Sequence, residues 1–391
     1  MSSLRLKVEV SYWLRGASFD AVRRACVSFD TDRGLLVEPG GCGPGSLRLP
    51  NSVALPPLCN AHVHVLDSAL PEMGEDRGIE ELVAFPTGLK YSALRSLDSD
   101  TIVKVLRELV EHMLRQGMAR MFAYVELGDK GVSMLRRALE GYHITTVFLA
   151  QPEVKNAADY FRMLERYGGV GLDTVFDLEP DELKRLADQA RRASGEVHVH
   201  VSETPELYEK RDYEVAMYAR PTAAVHLTFL DGEMVVEMAR EGIMPIFCPR
   251  SNVYHLGKLP PLESLVQLYN EGLPAGLGTD NAAWIPYDIR EELQFAYISY
   301  RSRVKRPQEL GRALLYAVTW GCWVKRMAGG AATRYGLEDS ILIALVPGIE
   351  NSSDIHVSLA KRLSQARAVL VASGKRTYYV DEILRGLLHN S

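Results

Sequence analysis

Residues Leu58-Cys-Asn-Ala-His-Val-His64 decide how the rest of the chain is read. Side chains of a strand alternate between faces, so His62 and His64 point the same way, about 6.6–7 Å apart along the strand. Ala61 and Val63, small and apolar, take the other face. A strand with imidazoles on one side and packing residues on the other belongs in a sheet with a polar, functional face. Both imidazoles can reach one metal ion. Two core histidines without a metal would need two separate sets of hydrogen-bond partners.

Outward from this stretch, short apolar runs alternate with amphipathic helical patterns. The runs are residues 53–65, 119–125, 144–149, 170–176, 197–201, 223–227, 243–247 and 275–277. Helical spacing lies between most of them, as over 100–115, 179–193, 231–241 and 261–270. Strands separated by helices imply parallel pairing through crossovers. Eight such units match an α/β fold of the (β/α)8 TIM-barrel type. A doubly wound open sheet is the rival. It would not explain why the polar residues gather at the carboxyl ends of runs one, five, six and eight.

The chain ends read differently. Period-two alternation over Leu4–Val10, Ala25–Phe29 and Leu35–Val37, and strand-like character over 340–380, predict a small β-sandwich formed by the N- and C-terminal segments. The expected division is 1–54 plus 340–391 for this domain and 55–339 for the barrel. Residues 288–303 and 308–328 read as further helices. The cluster Gly40-Gly-Cys-Gly-Pro-Gly45 lacks the Gly-Lys-Ser/Thr of a phosphate loop and contains Pro44, so it reads as a turn.

The bulk numbers exclude several classes. With 391 residues and a net charge of −5, the chain has no electrostatic reason to bind nucleic acid or membrane. No apolar run reaches the ~18–20 residues of a membrane span, and Met1-Ser-Ser-Leu-Arg lacks the apolar core of a signal peptide. The cysteines, Cys26, Cys42, Cys59, Cys248 and Cys322, are scattered and form no C-x-x-C pair. They are expected to be reduced thiols of a cytoplasmic protein.

Run five, Glu196-Val-His-Val-His-Val-Ser-Glu203, repeats the logic of run one. His198, His200 and Ser202 face the barrel interior. His200 lies nearer the carboxyl end, where barrel active sites are built, and is the third ligand candidate. His198, one layer deeper, reads as a core histidine. Glu203 leaves the strand above the metal, placed for proton transfer; Thr204-Pro205 after it would also suit a plain helix start. His226 ends run six, and Asp280 ends run eight in Gly278-Thr-Asp280. Three neutral imidazoles and a carboxylate suit zinc, with iron(II) as the second choice, and leave open positions for water. Run four contains no lysine to bridge a second ion, which favours one divalent metal. Loops after the strands bring Glu126, Gln151, Arg250 and Trp284 toward a small-molecule substrate: Arg250 could pair with an anionic or carbonyl group, and Trp284 could stack on a planar ring. His255 reads as loop structure.

These segments in this order resemble the amidohydrolase superfamily over nearly the whole chain. H-x-H alone is a weak sign; together with H-x-x-E, the single histidine and G-T-D it is specific. Cys248-Pro-Arg-Ser-Asn252 is similar to a stretch that follows strand seven in the mononuclear aminohydrolases, among them the cytosine, guanine and S-adenosylhomocysteine deaminases and the triazine hydrolases. The resemblance implies His62, His64, His200 and Asp280 as metal ligands. It implies Glu203 as proton shuttle to a ring nitrogen, and His226 as the group that holds the attacking water and the developing oxyanion. Asp280 would also take a proton from that water. It further implies deamination of an N-heterocyclic, nucleobase- or nucleoside-like substrate, and a homodimer. The stretches His64–Glu72, Tyr124-Val-Glu126 and Thr319–Val324 depart from the usual pattern and place the chain in a divergent branch. Cyclic amide or amidine hydrolysis, as in imidazolonepropionase, is the alternative activity, separated by whether ammonia is released. A non-catalytic scaffold is disfavoured because every ligand is present.

Overall fold

A computed structural model describes residues 5–44, 46–326, 332–334 and 340–389. Its central element is a parallel sheet running β5 (Leu58–His64), β6 (Met118–Val125), β7 (Thr145–Ala150), β8 (Gly169–Leu172), β9 (Glu196–Val201), β10 (Ala223–His226), β11 (Met244–Phe247) and β12 (Gly276–Leu277). A short piece, β13 (Asp280–Asn281), continues the line of β12 and pairs with β5, Asp280 opposite Val63 and Asn281 opposite His64. The last strand therefore touches the first and the sheet closes into a (β/α)8 barrel, as the alternation of runs and helices predicts. Both strand faces are covered. Every residue of β5, β6 and β9 is buried, which is why these strands read as near-continuous apolar runs broken only by functional residues.

The crossover helices follow ordinary physical chemistry. In the helix Ser99–Arg115, Asp98 caps the first turn by accepting from the amides of Asp100 and Thr101, and Ile102, Leu106, Leu109, Val110 and Met113 form the buried stripe. Asn156 and Asp231 cap the helices after β7 and β10 in the same way. The expected helix over 308–328 is formed only as Pro307–Ala317; positions 327 and 328 lie outside the described residues.

A second, seven-stranded sheet has the order β18-β17-β16-β4-β1-β2-β3. It is built from β1 (Arg5–Arg15), β2 (Asp20–Asp30), β3 (Gly34–Pro39) and β4 (Leu47–Leu55) at one end of the chain and β16 (Ser340–Leu345), β17 (Arg367–Ser373) and β18 (Arg376–Val380) at the other. It is one continuous sheet curled on itself. β3 and β17 come into contact, and a Cβ added at Gly34 would meet the Gly374 carbonyl oxygen at 3.5 Å. Val8, Val10, Val27, Phe29, Ile343 and Val369 form its own core. Between β15 (Ala332–Arg334) and β14 (Val324–Arg326) there is a short antiparallel pairing.

Two expectations are corrected. The run 53–65 is two strands in two sheets: Pro56-Pro57, without backbone donors, ends β4 against β16, and the barrel begins at Leu58. The cysteines are not all thiols. Cys26 bonds Cys42, Cys59 bonds Cys322 across 263 residues of sequence, and only Cys248 is free and buried. Sequence spacing carries no sign that Cys59, at the start of β5, meets a cysteine after the last barrel helix.

Among the described residues no helix is long and apolar enough to cross a membrane.

Candidate metal centre and active site

The carboxyl ends of β5, β9, β10 and β13 converge on one point. His62, His64, His200 and Asp280, all buried, bring one ligand atom each within 4.8 Å of one another. The His62 ring lies 4.9 Å from that of His64 and 5.0 Å from that of His200, centroid to centroid. Nε2 of His62 is 3.1 Å, and Nε2 of His64 3.6 Å, from Oδ1 of Asp280.

Each ligand is aimed by a neighbour. Nδ1 of His200 donates to the carbonyl of Leu172 at 2.9 Å, and Nδ1 of His64 to Glu126 Oε1 at 2.7 Å, so both rings keep the Nε2 lone pair for the centre. Ser251 donates its hydroxyl proton to Oδ2 of Asp280. Asn60 spans strands one and eight through Thr279, donating to its hydroxyl and accepting from its amide. Asp280 itself sits at φ 67°, and His226 at φ 73°, both in the left-handed region. Non-glycine residues held there cost energy and cluster at functional sites.

Electrostatics fit a metal ion. Burial holds His62 well below the ordinary imidazole range and His200 at about 4, so both are neutral donors. Burial would raise the Asp280 carboxyl, but His226, His62 and His64 around it hold it well below the usual carboxylate range. At His64 burial is outweighed by Glu126 and Asp280, which raise its pKa, so a bound ion would displace a proton there. Three imidazoles and one anionic carboxylate, buried and convergent, are the donor set of a borderline-soft divalent cation.

Glu203 stands beside this cage. The end of β9 is anchored by Asp212, whose carboxylate accepts from the amide and hydroxyl of Ser202. Thr204 then caps the next helix, which sends Glu203 back over the centre. Oε1 of Glu203 is 3.6 Å from Nε2 of His226. Burial pushes the Glu203 carboxyl up to about 7 against the opposing pull of His200, so it exchanges a proton near neutrality. Glu203, His226 and Asp280 form a close group of their own.

The four residues expected to face substrate all make contacts within the protein. Arg250 turns its guanidinium to Glu292 and Glu291 and to the carbonyls of Pro286 and Asp288, which leaves it as a clamp between loops. Glu126 is fully buried against His64 and Lys90. Trp284 donates to the Met73 carbonyl and packs edge-on to His255, tying the loop after β13 to the segment after β5. Gln151 donates to Asp173 and keeps an unpartnered, buried Oε1. Arg250, Glu126 and Gln151 share a reason: a buried or half-buried polar side chain is paired with the charges of the segments around it.

Sequence reasoning missed Ser251, Asn252, Lys90, Asp67 and Asp173. Ser251 and Asn252 stand within the quoted stretch Cys248–Asn252, so the signal was present though Arg250 drew the attention. Lys90 and Asp67 lie in the segment between β5 and the helix Ser99–Arg115, where no pattern marks them. Asp173, just past β8, accepts from Lys155, Gln151 and Tyr91.

Comparison with known proteins places the family and the fold. The sequence model of the amidohydrolase family matches residues 53–323. A putative aminohydrolase of Methanothermobacter thermautotrophicus is 25% identical over 270 residues, 64% of this chain and 69% of its own. A 5-methylthioadenosine/S-adenosylhomocysteine deaminase of Haloarcula marismortui is 23% identical over 291 residues, 67% of this chain and 66% of its own. Among solved structures, atrazine chlorohydrolase TrzN from Arthrobacter aurescens TC1 complexed with zinc superposes with a TM-score of 0.71 at 17% identity, covering 98% of both chains.

Proposed function

Because this chain belongs to the amidohydrolase family, we propose that it is a metal-dependent hydrolase of non-peptide C–N bonds that deaminates an N-heterocyclic, nucleobase- or nucleoside-like small molecule and releases ammonia. One observation carries the reading: a proton-exchanging carboxyl, Glu203, stands 3.6 Å from His226 beside four buried ligands within 4.8 Å of one another. The relatives named as an aminohydrolase and as an adenosine-derivative deaminase support deamination over ring-amide hydrolysis. Zinc is the proposed ion; the imidazole-rich donor set and the zinc-bound neighbour support it.

His62, His64, His200 and Asp280 would hold the ion, which supplies Lewis acidity that brings the pKa of water to about 7. The protein's own residues then handle the protons. Asp280 accepts one from the attacking water through its carboxylate. Glu203 delivers one to the ring nitrogen next to the amino-bearing carbon, so negative charge does not build up there. His226 directs Nε2 at the oxygen that becomes negative as the carbon turns tetrahedral. The carbon–nitrogen bond breaks as the proton held by Asp280 passes to the leaving nitrogen, and the hydroxyl proton left on the tetrahedral carbon returns to Glu203. The products are the oxo-heterocycle and ammonia.

The test is ammonia release from zinc-loaded protein across purines, pyrimidines, their nucleosides, pterins and triazines. Release that disappears in Glu203→Gln and His64→Ala is expected. A protein that carries one metal per chain and releases no ammonia from any of them would overturn the deaminase reading.

A further inference from the structure

Beside the ligand cage lies a second group of potential ligands, His64, Asp67 and Glu126, again within 4.8 Å and all buried. Two carboxylates shut away from water need a cation. The structure supplies one from the protein: Lys90, only 2% exposed, extends from the helix Leu89–Ser96 and places Nζ 2.9 Å from Glu126 Oε1 and 3.3 Å from Asp67 Oδ2. Asn281, the residue after the ligand Asp280, donates to the same Asp67 oxygen at 2.6 Å. Glu126 accepts from Nδ1 of His64 through the very oxygen that Lys90 contacts.

We propose that Lys90 is a resident cation of the metal centre: through Glu126 it positions His64 for the ion, and its ammonium occupies the place that a second divalent cation would take between Asp67 and Glu126. The inference rests on the metal-centre reading given above.

The chemistry is direct. An ammonium against Glu126 keeps that side chain an anionic acceptor. An anionic acceptor at Nδ1 fixes the proton there, and the lone pair on Nε2. Carboxylates that orient a ligating imidazole in this way are worth about 10–100-fold in metal affinity. Without the ammonium, the two carboxylates of Asp67 and Glu126 are hard oxygen donors that a divalent cation could take up. Lys90 therefore keeps the centre mononuclear by charge and by volume. A salt bridge serving only stability would leave metal binding untouched, and that difference makes the proposal testable.

The experiment measures zinc affinity by competition with a chromophoric chelator, metal stoichiometry, and the visible spectrum of the cobalt(II) form. It uses the full-length wild type, Lys90→Met and Glu126→Gln. Both variants are expected to bind the first ion about 10–100-fold more weakly, with a shifted cobalt spectrum. Lys90→Met alone is expected to take up a second equivalent at millimolar manganese or zinc. Wild-type affinity and an unshifted spectrum in both variants would overturn the positioning role. A Lys90→Met protein that never exceeds one equivalent would overturn the exclusion of a second ion. Should Lys90→Met fail to fold, Glu126→Gln still decides the first point, and Lys90→Gln, which keeps a hydrogen-bond donor, decides the second. A wild type that takes up no metal at all would instead overturn the metal-centre reading itself.

Discussion

The side-chain amide of Asn252 donates to Nδ1 of His226 at 3.1 Å, which fixes the tautomer of the histidine that faces Glu203. With Nδ1 an acceptor, the ring proton of neutral His226 resides on Nε2, and burial keeps the ring neutral by lowering its pKa. That proton points into the site as a donor. Asn252→Asp should invert the arrangement, since a carboxylate accepts from Nδ1–H and leaves Nε2 without its proton or charges the ring. We expect kcat to fall by about 10²-fold, the scale of losing one oxyanion donor, with bound metal unchanged. Asn252→Ala should cost less, because water can replace the amide. Equal losses in the two variants would show that tautomer control is not what Asn252 provides.

Glu203→Gln removes the exchangeable proton and keeps the shape. Proton transfer by a positioned side chain is worth about 10²–10⁴-fold, so kcat should drop by that much while metal content and thermal stability hold. Parallel loss of metal would place Glu203 among the ligands instead, and inductively coupled plasma analysis beside the kinetics separates the two.

Much of this site was legible because strand periodicity and chemistry coincide. His62, His64, His200, His226 and Asp280 lie at or near the carboxyl ends of the barrel strands, and period-two alternation says which of the strand residues look inward. The closed barrel follows from the same alternation of runs and helices. What stayed hidden depends on meetings between distant segments. Lys90 reaches Glu126 from a helix inside a loop, Cys59 finds Cys322, and Arg250 spends its charge on Glu291 and Glu292. Each of these is a pairing of long or reactive side chains across the barrel mouth or base, and no local pattern encodes it. The proline pair at 56–57 is the exception: it was visible in the sequence, and its missing donors foretell the break between the two sheets.

Metal removal should destabilise the fold itself. An ion that binds only the native state adds about 2.7 kcal/mol at a free concentration one hundred times its Kd. Chelation should therefore lower the melting temperature, and zinc should restore it in the wild type but not in His200→Ala. Melting curves that ignore both chelator and zinc would argue against a native metal centre.

The Lys155–Asp173 pair sets a further pH dependence of stability. Burial would raise the Asp173 carboxyl, but Lys155 at 2.6 Å holds it well below the usual carboxylate range. A depressed carboxyl contributes stability that is complete above its unfolded pKa of about 3.9 and is lost as the pH falls toward the folded value. Lys155→Met leaves Asp173 beside Asp177 without the cation that bridges them. The variant should lose about 1–3 kcal/mol at pH 7, the scale of hydrogen bonds to a half-buried charged group, and the gap to wild type should narrow below about pH 4 as the carboxylates take up protons. Urea unfolding at pH 7, 5 and 3.5 reads this directly. A gap constant across that range would mean that packing of the lysine stem, not charge, is what Lys155 contributes.

Gly278 is where the eighth strand presses on the first, and its lack of a side chain positions His62. A Cβ there would lie 2.6 Å from the His62 Cβ, 2.8 Å from its carbonyl oxygen and 2.9 Å from its amide nitrogen. Two of these are backbone atoms, so the strain cannot be relieved by turning a flexible side chain. Overpacking of this kind costs about 1–3 kcal/mol, and here the displaced group carries a ligand. Gly278→Ala should lower stability by that amount and also weaken zinc binding. Gly276→Ala, whose added Cβ would press on the Ala61 Cβ at 2.5 Å and touch Ile246 at an ordinary 3.5 Å, should lower stability while leaving zinc affinity closer to wild type. Chelator competition and urea unfolding on both variants separate the two effects. If zinc affinity falls equally in both, the ligand shift comes from general distortion of strand eight and not from contact with His62.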